Sequence, residues 1–176
     1  IPQSDSSEAE MLFACYPVRR MEAEVLVDAL NWLTGTTEEY SSPVPEPFTF
    51  IPPNQRSVAL ADGSITSSFL EMFGRPPRDT GLMSERNDET TDAQRLHMLN
   101  SSQVQNKLQS GWRMTTLIRT NRNNTDALIR SIYLHVLSRF PTAAEEGAAR
   151  QYLETSKLKP EAFAQDLAWA LINSKE

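Results

Sequence analysis

From Leu128 to Phe140 the apolar residues Leu128, Ile129, Ile132, Tyr133, Val136, Leu137 and Phe140 follow an i, i+3, i+4, i+7 pattern without a gap. That spacing falls on one stripe of a 3.6-residue helix and on neither face of a strand, so this segment must pack as a helix. Asn124 or Thr125 stands where its cap belongs, and Pro141 ends it. Thr142 with Glu145 then spells a capping box for a second helix presenting Ala148, Ala149, Tyr152 and Leu153. Pro160 suits the first position of a third, with Phe163, Leu167 and Leu171 inward. Three amphipathic helices joined by short links predict an all-α chain built as an antiparallel helical bundle.

Upstream the pattern is less regular. Met21, Val25, Ala29 and Leu33 recur every fourth residue, with Leu26 and Leu30 widening the stripe, and Gly35 supplies a stop. Pro43, Pro45, Pro47, Pro52 and Pro53 remove backbone donors and forbid helix, so residues 36–60 are expected to wrap the surface as a long proline-rich loop. Phe48, Phe50 and Ile51 are expected to pin that loop to the helices, and Arg56–Leu60 reads as a short strand. A helix is expected over Ser64–Phe73, ended by Gly74 and the Pro76-Pro77 pair. Irregular chain follows to about Glu89. Thr90 or Thr91 then caps a helix carrying Ala93, Leu96 and Leu99. Another starts at Ser101 or Ser102 with Val104 and Leu108 inward, and Trp112–Thr120 is weakly helical. Residues 1–10 are polar and Ser-rich, so 1–14 read as a linker or frayed entry and 15–176 as one helical domain. Within it, 15–110 form a motif-bearing lobe and 111–176 the C-terminal helices. Ile1 at the start, and an apolar pattern still running at Glu176, read as a fragment of a longer protein.

Composition excludes several functions. Seventeen basic against twenty-three acidic residues leave a net charge of −6, which argues against nucleic-acid and anionic-membrane partners because both need a cationic footprint. No apolar run approaches the roughly 20 residues of a membrane span. Cys15 is alone, so no internal disulfide framework exists, and one Cys with two His lacking HxxxH or HExxH spacing offers no zinc set. Asp88, Glu89 and Asp92 lack the register of a calcium loop. The residues therefore give no metal site and no cofactor.

The densest chemistry lies between Gly74 and Leu108. Arg75, Arg78, Glu85, Arg86, Asn87, His97 and Asn100 are set among Asp79 and Asp88 in a largely irregular stretch. Irregular backbone leaves carbonyl and amide groups open, and guanidinium forks can bridge them while pairing carboxylates bidentately. Two readings follow: a hub that staples the segment to the helices, or a pocket for a small anion or sugar. Sign-balanced clusters usually satisfy themselves, which favours the hub. A pocket would instead leave an arginine without an acidic partner. Ser84, Glu85 and His97 can be drawn as a triad, but no GxSxG elbow or glycine-rich oxyanion turn accompanies them. Trp32, Trp112 and Trp169 lie in helical patterns, where packing is the commoner use of an indole than a sugar platform; Trp112, beside Gly111, is the open case.

Five blocks carry a wider likeness: YPVRRMEAEVLVDAL, FLEMFGRPPRDTGLMSERN, TDAQRLHMLNSSQVQNKL, IYLHVLSRFPTAAEE and DLAWALINSKE. In this order, from about Cys15 to Glu176, the chain resembles the C-terminal domain of unknown function of planctomycete-type secreted multidomain proteins, which often carry cytochrome c modules. The resemblance implies export to the periplasm, cell surface or medium, sister domains in the same parent, and no established activity. It maps recurring residues onto Arg19, Arg20, Glu22, Gly74, Arg75, Arg78, Glu85, Arg86, Leu99 and Asn100. The haem of such parents would belong to a CxxCH module, a motif absent here. Many relatives carry two cysteines before the Glu-Arg pair, where this chain has Leu82 and Ser84, so no redox role transfers. The expected function is a non-catalytic interaction or scaffolding module that docks against sister domains, a cytochrome c module among them. The alternative is a ligand-binding or catalytic domain acting on extracellular polysaccharide in a pocket around Glu85, Arg86 and His97.

Overall fold

A computed structural model describes residues 20–45, 47–52, 54–60, 63–76, 86–87 and 89–174. They form an all-α fold: α1 (Ala23–Thr34), a single 3-10 turn (Ser57–Ala59), α2 (Ser68–Met72), α3 (Asp92–Asn100), α4 (Ser102–Ser110), α5 (Trp112–Asn121), α6 (Thr125–Leu137), α7 (Ala143–Ser156) and α8 (Pro160–Ile172).

The helix starts follow side-chain chemistry. Asn124 accepts the Ala127 N–H at 3.0 Å, and Ser101 accepts that of Val104 at 3.2 Å. Thr142 with Glu145, and Thr91 with Gln94, each close a reciprocal capping box. Pro160 opens α8 at a position whose N–H would have no partner inside the helix.

Two apolar clusters form the interior. The larger joins Leu128, Ile129, Ile132 and Tyr133 of α6 to Phe163, Ala164, Ala168 and Leu171 of α8, with Met114 and Ile118 of α5, Val104 and Leu108 of α4, and Leu33 closing it. Ala164 and Ala168 lie one turn apart and are fully buried, which leaves room for α6 and α8 to pack closely. The smaller sets Ala23, Val27 and Leu30 of α1 against Phe69, Leu70 and Phe73 of α2 and its C-cap. Met98 and Ile172 pack against both clusters.

Several expectations need correction. Leu30 and Leu33 of the expected α1 stripe are buried, together with Ala23, Val27 and Thr34, whereas Met21 and Val25 are about half exposed and Ala29 faces water. The proline-rich segment is not pinned by its phenylalanines: Phe48 and Phe50 are 83% and 68% exposed. It is held instead by Tyr40 and Leu60 on the smaller cluster, by the buried Thr49 and Ser57, and by an isolated antiparallel bridge between Ser41 and Thr66. The piece around Arg56–Leu60 is a 3-10 turn and not a strand, because a buried carboxylate of α1 takes its first amides. Helix α2 spans only Ser68–Met72, capped by Ser67. On α3, Ala93, Leu96 and Leu99 face outward while Gln94 is buried. Phe140 is exposed, since Ser138 takes a left-handed conformation (φ 57°) and turns the chain off the α6 stripe.

Candidate functional site

Helix α1 carries a second stripe beside its apolar one. Glu24, Asp28 and Asn31 stand at i, i+4 and i+7, so they share a face, and each grips a different segment.

Glu24, 6% exposed, receives Arg86 as a bidentate fork, Nη1 to Oε2 at 2.9 Å and Nη2 to Oε1 at 2.8 Å. The guanidinium of Arg75, itself buried, brings Nε to 3.5 Å from the same carboxylate, and Glu22 lies 3.7 Å from Arg86. Burial pushes the Glu24 carboxyl up. The Arg86 hydrogen bonds, the backbone N–H of Glu24 and the charges of Arg86 and Arg75 outweigh it and hold the group below the ordinary carboxylate range.

Arg20 completes this hub through backbone carbonyls. It donates to Asn87 O at 2.6 Å, Glu89 O at 3.0 Å and Phe73 O at 3.4 Å, and to Gln94 Oε1 at 2.7 Å. Gln94 in turn donates to Met72 O at 2.9 Å. Gly74 adopts φ 100°, and a Cβ there would come within 2.2 Å of Asn87 O, so only glycine lets the two stretches meet through the Asn87 N–H to Gly74 O bond of 3.1 Å. Asn87 uses its side chain to accept the Glu89 N–H.

Asp28 accepts the amides of Ser57 at 2.8 Å and Val58 at 3.2 Å, with Arg56 at 3.4 Å. Asn31 accepts Lys107 Nζ at 2.7 Å; the same ammonium reaches Glu38 at 3.0 Å and Thr37 O at 3.1 Å. Lys107 is 8% exposed and so ties the chain after α1 to α4 from within.

The structure brings Arg75, Arg86 and Asn87 into one hub. Arg78 and Glu85 lie outside the described residues, as do Ser84, Asp79 and Asp88. His97 is placed differently: its imidazole meets Phe69 and Phe73 edge-on, with centroids 5.5 and 5.8 Å apart. Its Nε2 is buried with no hydrogen-bond partner among the described residues, so the ring packs as an aromatic. Asn100 stands exposed at the last residue of α3, about 9 Å along the axis from Gln94 at a rise of roughly 1.5 Å per residue. Trp169 is half-buried and donates to Leu99 O at 3.2 Å, which suits an interface indole. Among the described residues no grouping of three His, Cys, Asp or Glu side chains offers a metal site.

The sequence reading overlooked Glu24 as the hub's carboxylate, together with Asp28, Asn31, Gln94 and Lys107. The i, i+4, i+7 spacing of 24, 28 and 31 was the available signal. It was masked by the apolar period four of 21, 25, 29 and 33, of which the structure buries only Leu33.

No curated protein and no solved structure matches the chain. One family model does match, over residues 2–153, which takes in α1 to most of α7. The chain therefore belongs to the PSD1 family, described as a protein of unknown function (DUF1553).

Proposed function

We propose that this domain is a non-catalytic interaction or scaffolding module of a secreted, planctomycete-type multidomain protein, docking against sister domains such as a cytochrome c module. The observation that carries the reading is the commitment of the hub's polar groups to one another. Arg86 is spent on Glu24, and Arg20 on three backbone carbonyls and Gln94. A reactive or ligand-taking site needs groups free to meet a substrate. His97 packed on Phe69 and Phe73 is no general base for a polysaccharide pocket around Glu85, Arg86 and His97.

Docking would use an outer helix. Helix α7 buries only Ala149, and between it and α8 lies an open apolar groove of about 580 Å³ lined by Tyr133, Ala148, Tyr152, Leu167 and Ala170. An apolar groove rimmed by Glu145 and Asp166 has the make-up of a contact surface. The test uses the longer parent protein, carrying Ala148 or Ala148→Glu, in limited proteolysis. Ala148 is exposed, so the change should leave the melting temperature in place while a sister domain loses protection. Unchanged protection, or turnover of a polysaccharide by the isolated domain that Arg86→Ala abolishes without unfolding it, would overturn the reading.

A further inference from the structure

A different feature meets the criterion that the hub fails. Among the described residues no carboxylate lies within ion-pair reach of Arg113; its guanidinium sits between two indoles, 4.8 Å from the Trp32 centroid and 5.3 Å from that of Trp112. Both indoles face solvent, Trp32 at 58% and Trp112 at 63%. Two tryptophans so exposed on one face forgo the burial that normally retains this side chain, which points to use of their surface.

The arrangement is held rigidly from below. Gly35 at the C-cap of α1 has φ 75°, and a Cβ there would come within 2.6 Å of Trp112 Nε1 and 2.8 Å of Arg113 Cγ. Glycine thus lets α5 seat its first two side chains on the end of α1. Trp32 stacks on His135 with centroids 5.4 Å apart and rings inclined by 22°. His135 is fixed in turn by Nε2 to Leu33 O at 2.7 Å; because a carbonyl only accepts, Nε2 is the protonated nitrogen. Beside the indoles opens a cleft of about 380 Å³ whose other walls are Gly35 and the polar Asp28, Asn31, Thr36, Thr37, Asn54, Gln55 and Arg56, the Asp28 carboxylate being taken up by the Ser57 and Val58 amides and by Arg56. Asn54, which lines the cleft, is exposed and in a left-handed conformation (φ 61°).

Flat aromatic faces beside amides and hydroxyls match a sugar ring, whose C–H face stacks while its hydroxyls hydrogen-bond. An arginine held between the indoles by cation–π contact, with no carboxylate of the described residues within ion-pair reach, adds a fork for a carboxylate or sulfate. We infer that the Trp32–Arg113–Trp112 cleft binds a saccharide carrying an anionic group, a uronate or a sulfate ester.

Titration of the full chain with oligogalacturonate, a sulfated oligosaccharide and a neutral cello-oligosaccharide, followed by calorimetry and tryptophan fluorescence, tests this. At least one anionic oligomer should bind, at least tenfold tighter than the neutral one, and which of them binds decides between carboxylate and sulfate. Trp112→Ala and Arg113→Gln should each weaken that binding at least tenfold, with far-UV circular dichroism and the melting temperature unchanged. Trp112 is mostly exposed, so its variant keeps the test valid if Arg113→Gln disturbs packing. The inference is overturned by no binding at millimolar oligomer, by equal binding of the neutral sugar, or by anionic binding that Trp112→Ala leaves intact.

Discussion

In the helices after Gly111, burial follows the apolar pattern: Leu128, Ile129, Ile132, Phe163, Ala164 and Ala168 are at most 2% exposed. Around α1 burial extends to groups that water would solvate well. Glu24, Asp28, Arg75, Gln94 and Lys107 are all under 9% exposed. The first region is held by contact that scales with area and has little directional demand. The second is held by forks and amides that work only in one geometry, with a large cost if one partner is removed. The contrast teaches where a chain spends directional bonds. They appear where pieces of chain with no apolar stripe of their own, such as residues 74–76, residues 86–87 and the 3-10 turn, must be locked to a helix.

The largest effect should come from Glu24→Gln. It removes the buried carboxylate that Arg75 and Arg86 share and should cost about 3–5 kcal/mol, the range for breaking one side of a buried pair. Phe163→Ala should cost about as much by opening a cavity. Urea denaturation measures both, and hydrogen exchange separates them. Glu24→Gln should release amides of α1 and α2 while α6 and α8 stay protected, and Phe163→Ala should do the reverse. Equal loss everywhere in both variants would dissolve the distinction between the two regions.

Acid should part the regions next. The Glu24 carboxyl lies below its ordinary range in the folded state, so its contribution is present in full above about pH 4.3 and is lost as pH falls through the lowered folded value. Exchange protection of α1 and α2 should therefore fall first on acidification, and Glu24→Gln should flatten that dependence. Glu145 has the same sign, drawn down to about 2 by Arg139 and by the Thr142 N–H and hydroxyl. That pair is about one-third exposed on each side, so added salt should weaken it while leaving the buried Glu24 fork largely unchanged.

A smaller effect belongs to the caps. Thr142→Ala should cost about 1 kcal/mol and fray the start of α7, with little change at α1, as read by a thermal melt and exchange at Glu145 and Glu146. A loss several times larger would mean that the α7 cap supports more than its own helix.

The C-terminal helices were legible because their apolar period, their caps and Pro160 all point to the same boundaries. Of the two expected caps for α6 the structure uses Asn124, and the expected starts at Thr142 and Pro160 are those of the structure. The hub was half legible. The arginine cluster announced a carboxylate-paired segment, yet Glu24 sits more than fifty residues from Arg75 and Arg86, and spacing along a chain carries no signal for such a meeting. The face of α1 was misread because hydrophobicity alone ranks Met21 and Val25 above Glu24. Only the pairing of Glu24 with Arg86 makes burial of that acid favourable.

The smallest expected effect sharpens the contrast from the other side. Phe48 and Phe50 are the most conspicuous apolar residues of the proline-rich segment, and hydrophobicity would have them anchor it. The anchoring instead falls to Tyr40, Thr49 and Ser57, with Asp28 holding the turn that follows. Phe48 is 83% exposed, so Phe48→Ser removes almost no buried area and should shift stability by less than about 0.5 kcal/mol. Asp28→Ala, a deletion of the polar grip on the same segment, should cost about 1–3 kcal/mol, because the buried Ser57 amide and the part-buried Val58 amide lose their acceptor. Urea titration of the two variants side by side checks the order. If Phe48→Ser proved the more damaging, the segment would be held by its phenylalanines after all, and the claim that α1 organises its neighbours through its polar stripe would fail at the Asp28 position.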